Sequence, residues 1–409
     1  MEKLRICVIG CGAFARNFVP LFKAHPATEK VFVCDLIPER SADYSKKFEV
    51  EVIPSFEDAI SRRDVNAVAI FVQRHLHGPL VIKALKAGKH VYSAVPCAST
   101  VEEIYEIEEL VRKTGLTYSM GETGFYRAAT VFCREKMKSG EMGDFVWGEA
   151  QYNHDQRHFD YTRNGPGWKK IAGIPPMLYP THSTAMILGA MPGVYITKVS
   201  ALGYTERYLD DIFGTNGVNL WNNPFSNTAM LARLSNGGAA RISENRRVAF
   251  SGPNTYISQF YGSEGSYEFS MLHHYFSHWD REDPKKLITT DVTRELQPDE
   301  VMKIINEPDA AQRISDGLGF FGESPIQPEE RLPEEFAGLK NGHNGTHKLM
   351  IDDFCRAYTT GKLSPTNIWQ AARFNLPGLI AHQSALRDGE LMNVPDLGDP
   401  PAGWEIIDY

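Results

Sequence analysis

Three groups of residues in this chain have types and spacings that could do chemistry. The first is Gly10-Cys11-Gly12-Ala13-Phe14-Ala15, set between the apolar run Ile6-Cys7-Val8-Ile9 and a stretch with Phe14, Phe18, Leu21 and Phe22 at helical spacing. Gly10 permits a tight turn, Gly12 lets a pyrophosphate come against the backbone, and the small Ala15 allows close helix–strand packing. A helix opening there turns N–H groups, those of Ala13 and Phe14 among them, toward phosphates. The second is Asp35, which closes the next apolar run, Val31-Phe32-Val33-Cys34. A carboxylate there accepts hydrogen bonds from the adenosine ribose and repels a 2′-phosphate, so the pair of signals predicts NAD rather than NADP. Arg40 then stacks on adenine or faces solvent. The third is Tyr179 and His182, three residues apart just ahead of Ser183–Leu188. Histidine changes charge near neutral pH, so His182 is the first choice for general acid or base, with Tyr179 taking a second proton or holding a hydroxyl for it. The structural alternative is a histidine capping the following helix with a tyrosine packed against it.

Other polar residues are weaker candidates for a substrate site. His154, Asp155 and Arg157 cluster at a strand end, where a solvated loop is the competing reading. Trp168, after Gly165-Pro166-Gly167, offers a ring to stack on a sugar face or a side chain to fill a core. His343 and His347 flank a Gly/Asn loop before Asp352. His77 follows the apolar run ending Phe71-Val72, at the sheet edge where ligands bind, and is expected to support the cofactor pocket. No His-Glu-x-x-His or Cys/His ligand spacing occurs, so no metal is expected.

The elements that must position these groups alternate strand and helix up to about residue 120. Ala67–Val72, His90–Ser93 and Leu116–Met120 read as further strands, with helices over Gly78–Ala87 and from the capping box Thr100-Val101-Glu102-Glu103. Continuous apolar strands between helices predict an α/β Rossmann domain, a doubly wound parallel sheet, over 1–124. Beyond Gly121 the pattern changes to strands, at Asp144–His154, Ala229–Leu234, Ala239–Glu244, Ile257–Gly262 and Ser266–Phe269. They predict an α+β domain with a mostly antiparallel open sheet over 125–409. Within it, 278–340 reads as a charged, Pro-rich surface excursion, and a last helix runs from about Asn367 to Leu386.

With 409 residues, 42% hydrophobic and 23% charged, the chain is of ordinary globular composition for two domains. Its net charge of −8 and lack of a basic stripe argue against nucleic acid; Arg246-Arg247 reads as solvated surface. The six cysteines show no Cys-x-x-Cys and are expected to be reduced. Met1-Glu2-Lys3-Leu4-Arg5 runs straight into a strand, and no apolar run approaches the roughly 20 residues that cross a bilayer. A cytoplasmic location without membrane partners is the expectation, and self-association through the C-terminal sheet stays open.

Two stretches carry a family likeness. Gly88-Lys89-His90-Val91-Tyr92-Ser93-Ala94-Val95-Pro96 resembles the Gfo/Idh/MocA segment G-K-H-V-x-x-E-K-P, and Asp352-Asp353-Phe354 resembles a part of that family's second domain beside its active site. The resemblance implies NAD(P) on a Rossmann domain, an open-sheet substrate domain, and sugars or polyols as substrates. Here Ala94-Val95-Pro96 replaces E-K-P, so the lysine common beside the reacting hydroxyl is missing and Val95 and Pro96 are left as cofactor-site residues. Tyr179-Pro180-Thr181-His182 and the V-P pair are similar to the NAD-dependent glycosidase branch, whose familiar members are α-N-acetylgalactosaminidases. Tyr152-Asn153-His154-Asp155 is similar to its Y-x-H-D stretch, and Glu122 with Tyr126 to its E-N-x-x-Y turn, with Thr123 in place of the asparagine. The likeness implies a redox-neutral glycosidase working by transient oxidation at C3. A simple sugar or polyol dehydrogenase and a non-catalytic NAD-dependent sensor are the competing readings.

Overall fold

The computed structural model describes residues 2–155, 167–207, 211–214, 217–249, 255–270, 272–283 and 285–409. They form two compact units. The first comprises Met1–Thr123, Pro328–Ala372 and Leu397–Tyr409; the second comprises Gly124–Gln327 and Arg373–Asp396.

In the first unit, β1 (Leu4–Ile9), β2 (Thr28–Cys34), β3 (Glu51–Val52), β4 (Ala67–Ile70), β5 (His90–Ser93) and β6 (Tyr118–Met120) make a six-stranded sheet. The order is β3-β2-β1-β4-β5-β6, every pair parallel. This is the doubly wound order, with its switch point between β1 and β4. β4 is buried along its whole length, as its unbroken apolar sequence requires. The capping box forms: Thr100 accepts from the Glu103 N–H at 3.2 Å, and the Glu103 carboxylate reaches back to the Ser99 N–H at 3.0 Å. Its helix, Val101–Thr114, stops at left-handed Gly115. The helix expected directly after the glycine turn is instead a short 3₁₀ segment, Ala15–Asn17, followed by Val19–Ala24 with Pro20 in its first turn.

The second unit carries a nine-stranded sheet: β7 (Phe145–Asn153), β8 (Ile196–Thr205), β9 (Phe225–Leu234), β10 (Ala239–Asn245), β11 (Tyr256–Gly262), β12 (Gly265–Ser270), β13 (His273–Trp279), β14 (Leu287–Asp291) and β15 (Met392–Asn393). Their order is β14-β13-β12-β11-β7-β10-β9-β8-β15, antiparallel except for the β7–β10 pair. That one parallel pairing sets Tyr152 opposite Glu244, while the antiparallel β7–β11 register sets Tyr152 opposite Tyr256. One row across three strands thus collects Glu244, Tyr152 and Tyr256. The helix Thr181–Leu188, buried throughout, packs on this sheet and supplies His182.

Two organisational expectations change. Residues 125–409 do not stay together: Pro328–Ala372, with the helix His347–Thr360, returns to the first unit, where Asp352 and Asp353 are buried against Arg331 at 2.9 and 2.8 Å. Asp352 also lies 3.3 Å from His25, so the Asp-Asp-Phe stretch braces the Rossmann unit from behind. Residues 278–340 are not a bare excursion either. β13 and β14 extend the sheet through them, and Val292, Leu296, Val301 and Ile305 are buried beyond it. β14 escaped notice because nearly all of its side chains are exposed and carry no alternation.

Candidate functional site

The candidate cofactor site is built on the carboxyl edge of the parallel sheet. Gly10 has φ +96°, and a Cβ there would lie 2.4 Å from the Phe71 carbonyl oxygen, so only glycine fits. A Cβ on Gly12 would meet nothing within 4 Å: the backbone there faces open space of the kind a pyrophosphate fills. Asp35 leans over the turn, accepting from the Cys11 N–H at 2.6 Å and the Ile37 N–H at 2.8 Å. Tyr44, from the helix Pro38–Phe48, donates its hydroxyl to the Gly12 carbonyl and pins the turn from below. Sequence reasoning missed Tyr44, whose link to Gly12 spans 32 positions. Arg40 is exposed on the first turn of the same helix.

Val95 and Pro96 follow β5 and are buried. His77 is buried between the carbonyl oxygens of Pro96 and Val72, 2.8 and 3.1 Å from its ring nitrogens. It ties the loops after β4 and β5 together, and burial pushes its pKa down to about 4, keeping it neutral. Lys89 lies at the start of β5 and donates to the Arg62 and Val65 carbonyls, so it does not replace the missing lysine. Glu122 is fully buried just after β6, on the same sheet edge. His347 is fully buried as well: its ring stacks on Phe18 at 4.3 Å and meets Phe14 edge-on at 5.6 Å. That enclosure removes it from direct contact with a substrate and ties it to the glycine turn.

A second cluster of candidate residues lies in the second unit. Pro180 precedes the helix Thr181–Leu188, and the Tyr179 hydroxyl and His182 Nε2 come together at 2.6 Å, both residues buried. A second phenol–imidazole couple stands beside it, the Tyr152 hydroxyl 2.7 Å from His154 Nδ1. Tyr152, Tyr179 and Tyr256 surround His182 edge-on, with centroids 4.9, 5.0 and 5.2 Å away. Guanidinium groups cover the outer ring faces: Arg246 lies 4.6 Å from Tyr152 and 5.0 Å from Tyr179, and Arg127 3.6 Å from Tyr256. Arg246 also donates to the fully buried Glu244 at 2.6 Å, whose other oxygen accepts from Ser183, the neighbour of His182.

Several assignments move. Arg246 is buried and not solvated surface, because β10 delivers it against the tyrosines. Asp155 accepts from the Val248 and Ala249 N–H groups at 3.1 and 2.9 Å, holding the turn after β10. Trp168 packs on Ile212 and Phe213, the core role weighed against sugar stacking. Arg157 lies outside the described residues. Among the described residues no group of three or more His, Cys, Asp or Glu could hold a metal, and no helix is long and apolar enough to cross a membrane.

Residues 4–122 match the model of an oxidoreductase family with an NAD-binding Rossmann fold, Gfo/Idh/MocA. The chain is an enzyme with NAD as its cofactor, which the match over residues 4–122, the turn at Gly10–Ala15 and Asp35 fit. It is 22% identical to a glycosyl hydrolase family 109 protein of Streptomyces filamentosus, over 96% of this chain and 77% of that one. It is 28% identical to dTDP-3,4-didehydro-2,6-dideoxy-alpha-D-glucose 3-reductase of Streptomyces violaceoruber, over 46% of this chain and 56% of the reductase. In fold it is similar to levoglucosan dehydrogenase solved with NADH, with a TM-score of 0.72, 18% identity, and 97% of this chain and 100% of that one covered.

Proposed function

We propose that this enzyme acts on a carbohydrate and that its net reaction is redox-neutral, cleaving a glycoside by transient oxidation at C3, elimination and water addition. The observation that carries the reading is the presence of two phenol–imidazole couples side by side, Tyr179–His182 and Tyr152–His154. A dehydrogenase needs one base, for one hydroxyl proton. Elimination needs a second, for the carbon acid beside the ketone. Val95 in the place of the family's usual lysine and the similarity to glycosyl hydrolase family 109 along the chain support the same reading.

NAD, when bound, supplies the hydride acceptor and then the hydride donor of such a cycle. The Tyr179 oxygen receives the C3 hydroxyl proton while its own phenolic proton moves to His182 Nε2, the atom it already bonds. With C3 a ketone, the C2–H is acidic, and the Tyr152–His154 couple removes that proton. The C1 substituent then leaves and is protonated as the free alcohol. Water adds at C1, C2 regains a hydrogen, and His182 returns its proton through Tyr179 as the C3 hydroxyl is restored. The balance is glycoside plus water to sugar plus alcohol.

The test is incubation with a glycoside panel in deuterated water with substoichiometric NAD. Many turnovers per NAD and deuterium at C2 are expected. Conversion that stops at one equivalent of cofactor, with no deuterium in the product, would establish the simple dehydrogenase instead.

A further inference from the structure

The turn 341–345 of the first unit is unusually constrained for a surface loop. His343 and Asn344 both adopt left-handed backbone, φ 52° and 56°, a conformation that non-glycine residues hold only at a cost. Three features enforce it. The Asn341 side chain donates to the Gly345 carbonyl and accepts from the Lys348 N–H, both at 3.0 Å. Gly342 has no room for a Cβ, which would sit 2.6 Å from the His347 ring. His343 Nδ1 lies 2.8 Å from His347 Nε2, and the buried His347 is itself clamped by Phe14 and Phe18.

What the constraint achieves is placement. The half-buried His343 ring meets Phe14 edge-on at 5.5 Å, and Phe14 belongs to the turn whose backbone approaches the pyrophosphate. Phe14 packs in turn on Phe71, just past β4, at 5.9 Å, so the cluster stands on the β4 side of the switch point. Asp35, the carboxylate placed to take the adenosine ribose, stands on the opposite side, after β2. Two polar side chains are thus held in a strained conformation beside the cofactor turn, on the side away from adenosine. Neither is used by the proton chemistry of the second unit.

We infer that the His343–Asn344 turn is part of the dinucleotide site and holds the nicotinamide half of NAD through its imidazole and amide. His347 is a positioning residue that fixes His343 relative to Phe14. The inference requires NAD binding alone and does not depend on the glycosidase reading, which can fail while this one stands.

The test is calorimetric titration of the full chain with NADH and, separately, with ADP, which lacks the nicotinamide half. His343→Ala removes the ring. Asn344→Gly removes the amide while suiting the left-handed backbone, so it keeps the experiment decisive if the first variant misfolds. Each should weaken NADH about three- to tenfold, the scale of a lost neutral hydrogen bond, and leave ADP affinity unchanged. Unchanged NADH affinity in both variants, or equal losses for NADH and ADP, would overturn the inference and make the turn a brace for the fold.

Discussion

The buried pair Arg246–Glu244 offers a direct test of how the tyrosines around His182 are supported. Glu244 is fully buried on β10, bonded to Arg246 at 2.6 Å and to Ser183. Arg246, 8% exposed, spreads over the rings of Tyr152 and Tyr179, and the nitrogen that bonds Glu244 also donates to the Tyr179 carbonyl, 3.4 Å away. Arg246→Met keeps most of the volume but strands a carboxylate in an apolar wall; Glu244→Leu strands the guanidinium. Breaking one partner of a buried pair costs about 3–5 kcal/mol, whereas replacing both by apolar groups is often neutral. The singles should therefore each lose about 3 kcal/mol or more. The double variant Arg246→Met with Glu244→Leu should recover at least about 2 kcal/mol of their sum, because neither leaves a lone charge. The assay is guanidinium unfolding followed by circular dichroism, with the two units fitted as separate transitions. Single variants within about 1 kcal/mol of wild type, or strictly additive losses in the double, would show that the pair is solvated and that the argument from burial is wrong.

Tyr152→Phe should abolish deuterium exchange at C2 while a stoichiometric burst of NADH still forms. Tyr179→Phe should suppress both, each by about 10²–10⁴-fold, read by mass spectrometry and absorbance. Asp35→Ala should weaken NAD and narrow its advantage over NADP in binding titrations; tighter wild-type binding of NADP would contradict the role given to the carboxylate. Burial lowers the pKa values of His77 and His90 to about 4. Their neutral forms therefore contribute stability fully above the unfolded value near 6.5, and that contribution is lost as pH falls from there toward 4. The melting temperature should drop over that window, and His77→Gln, though less stable at pH 7, should show a shallower drop.

What the chain determines by itself is whatever depends on neighbours in sequence. The glycine turn, the capping box at Thr100, the unbroken apolar strands and the three-residue spacing of Tyr179 and His182 at a helix entry are all local, and each was legible from residue type and spacing. The second couple was only half legible: His154 stood out as a candidate, and Tyr152 entered only through the Y-x-H-D resemblance. Tertiary structure decided the rest, because strand register joins residues that no local pattern links. The parallel β7–β10 pairing sets Glu244 beside Tyr152, and with it turns Arg246 from a surface charge into a buried cation over two tyrosines. The same holds for His343 and His347. Their sequence neighbours suggest a loop of the second domain, but the return of Pro328–Ala372 to the first unit packs them against Phe14 and Phe18, over 300 positions away, where the glycine turn lies.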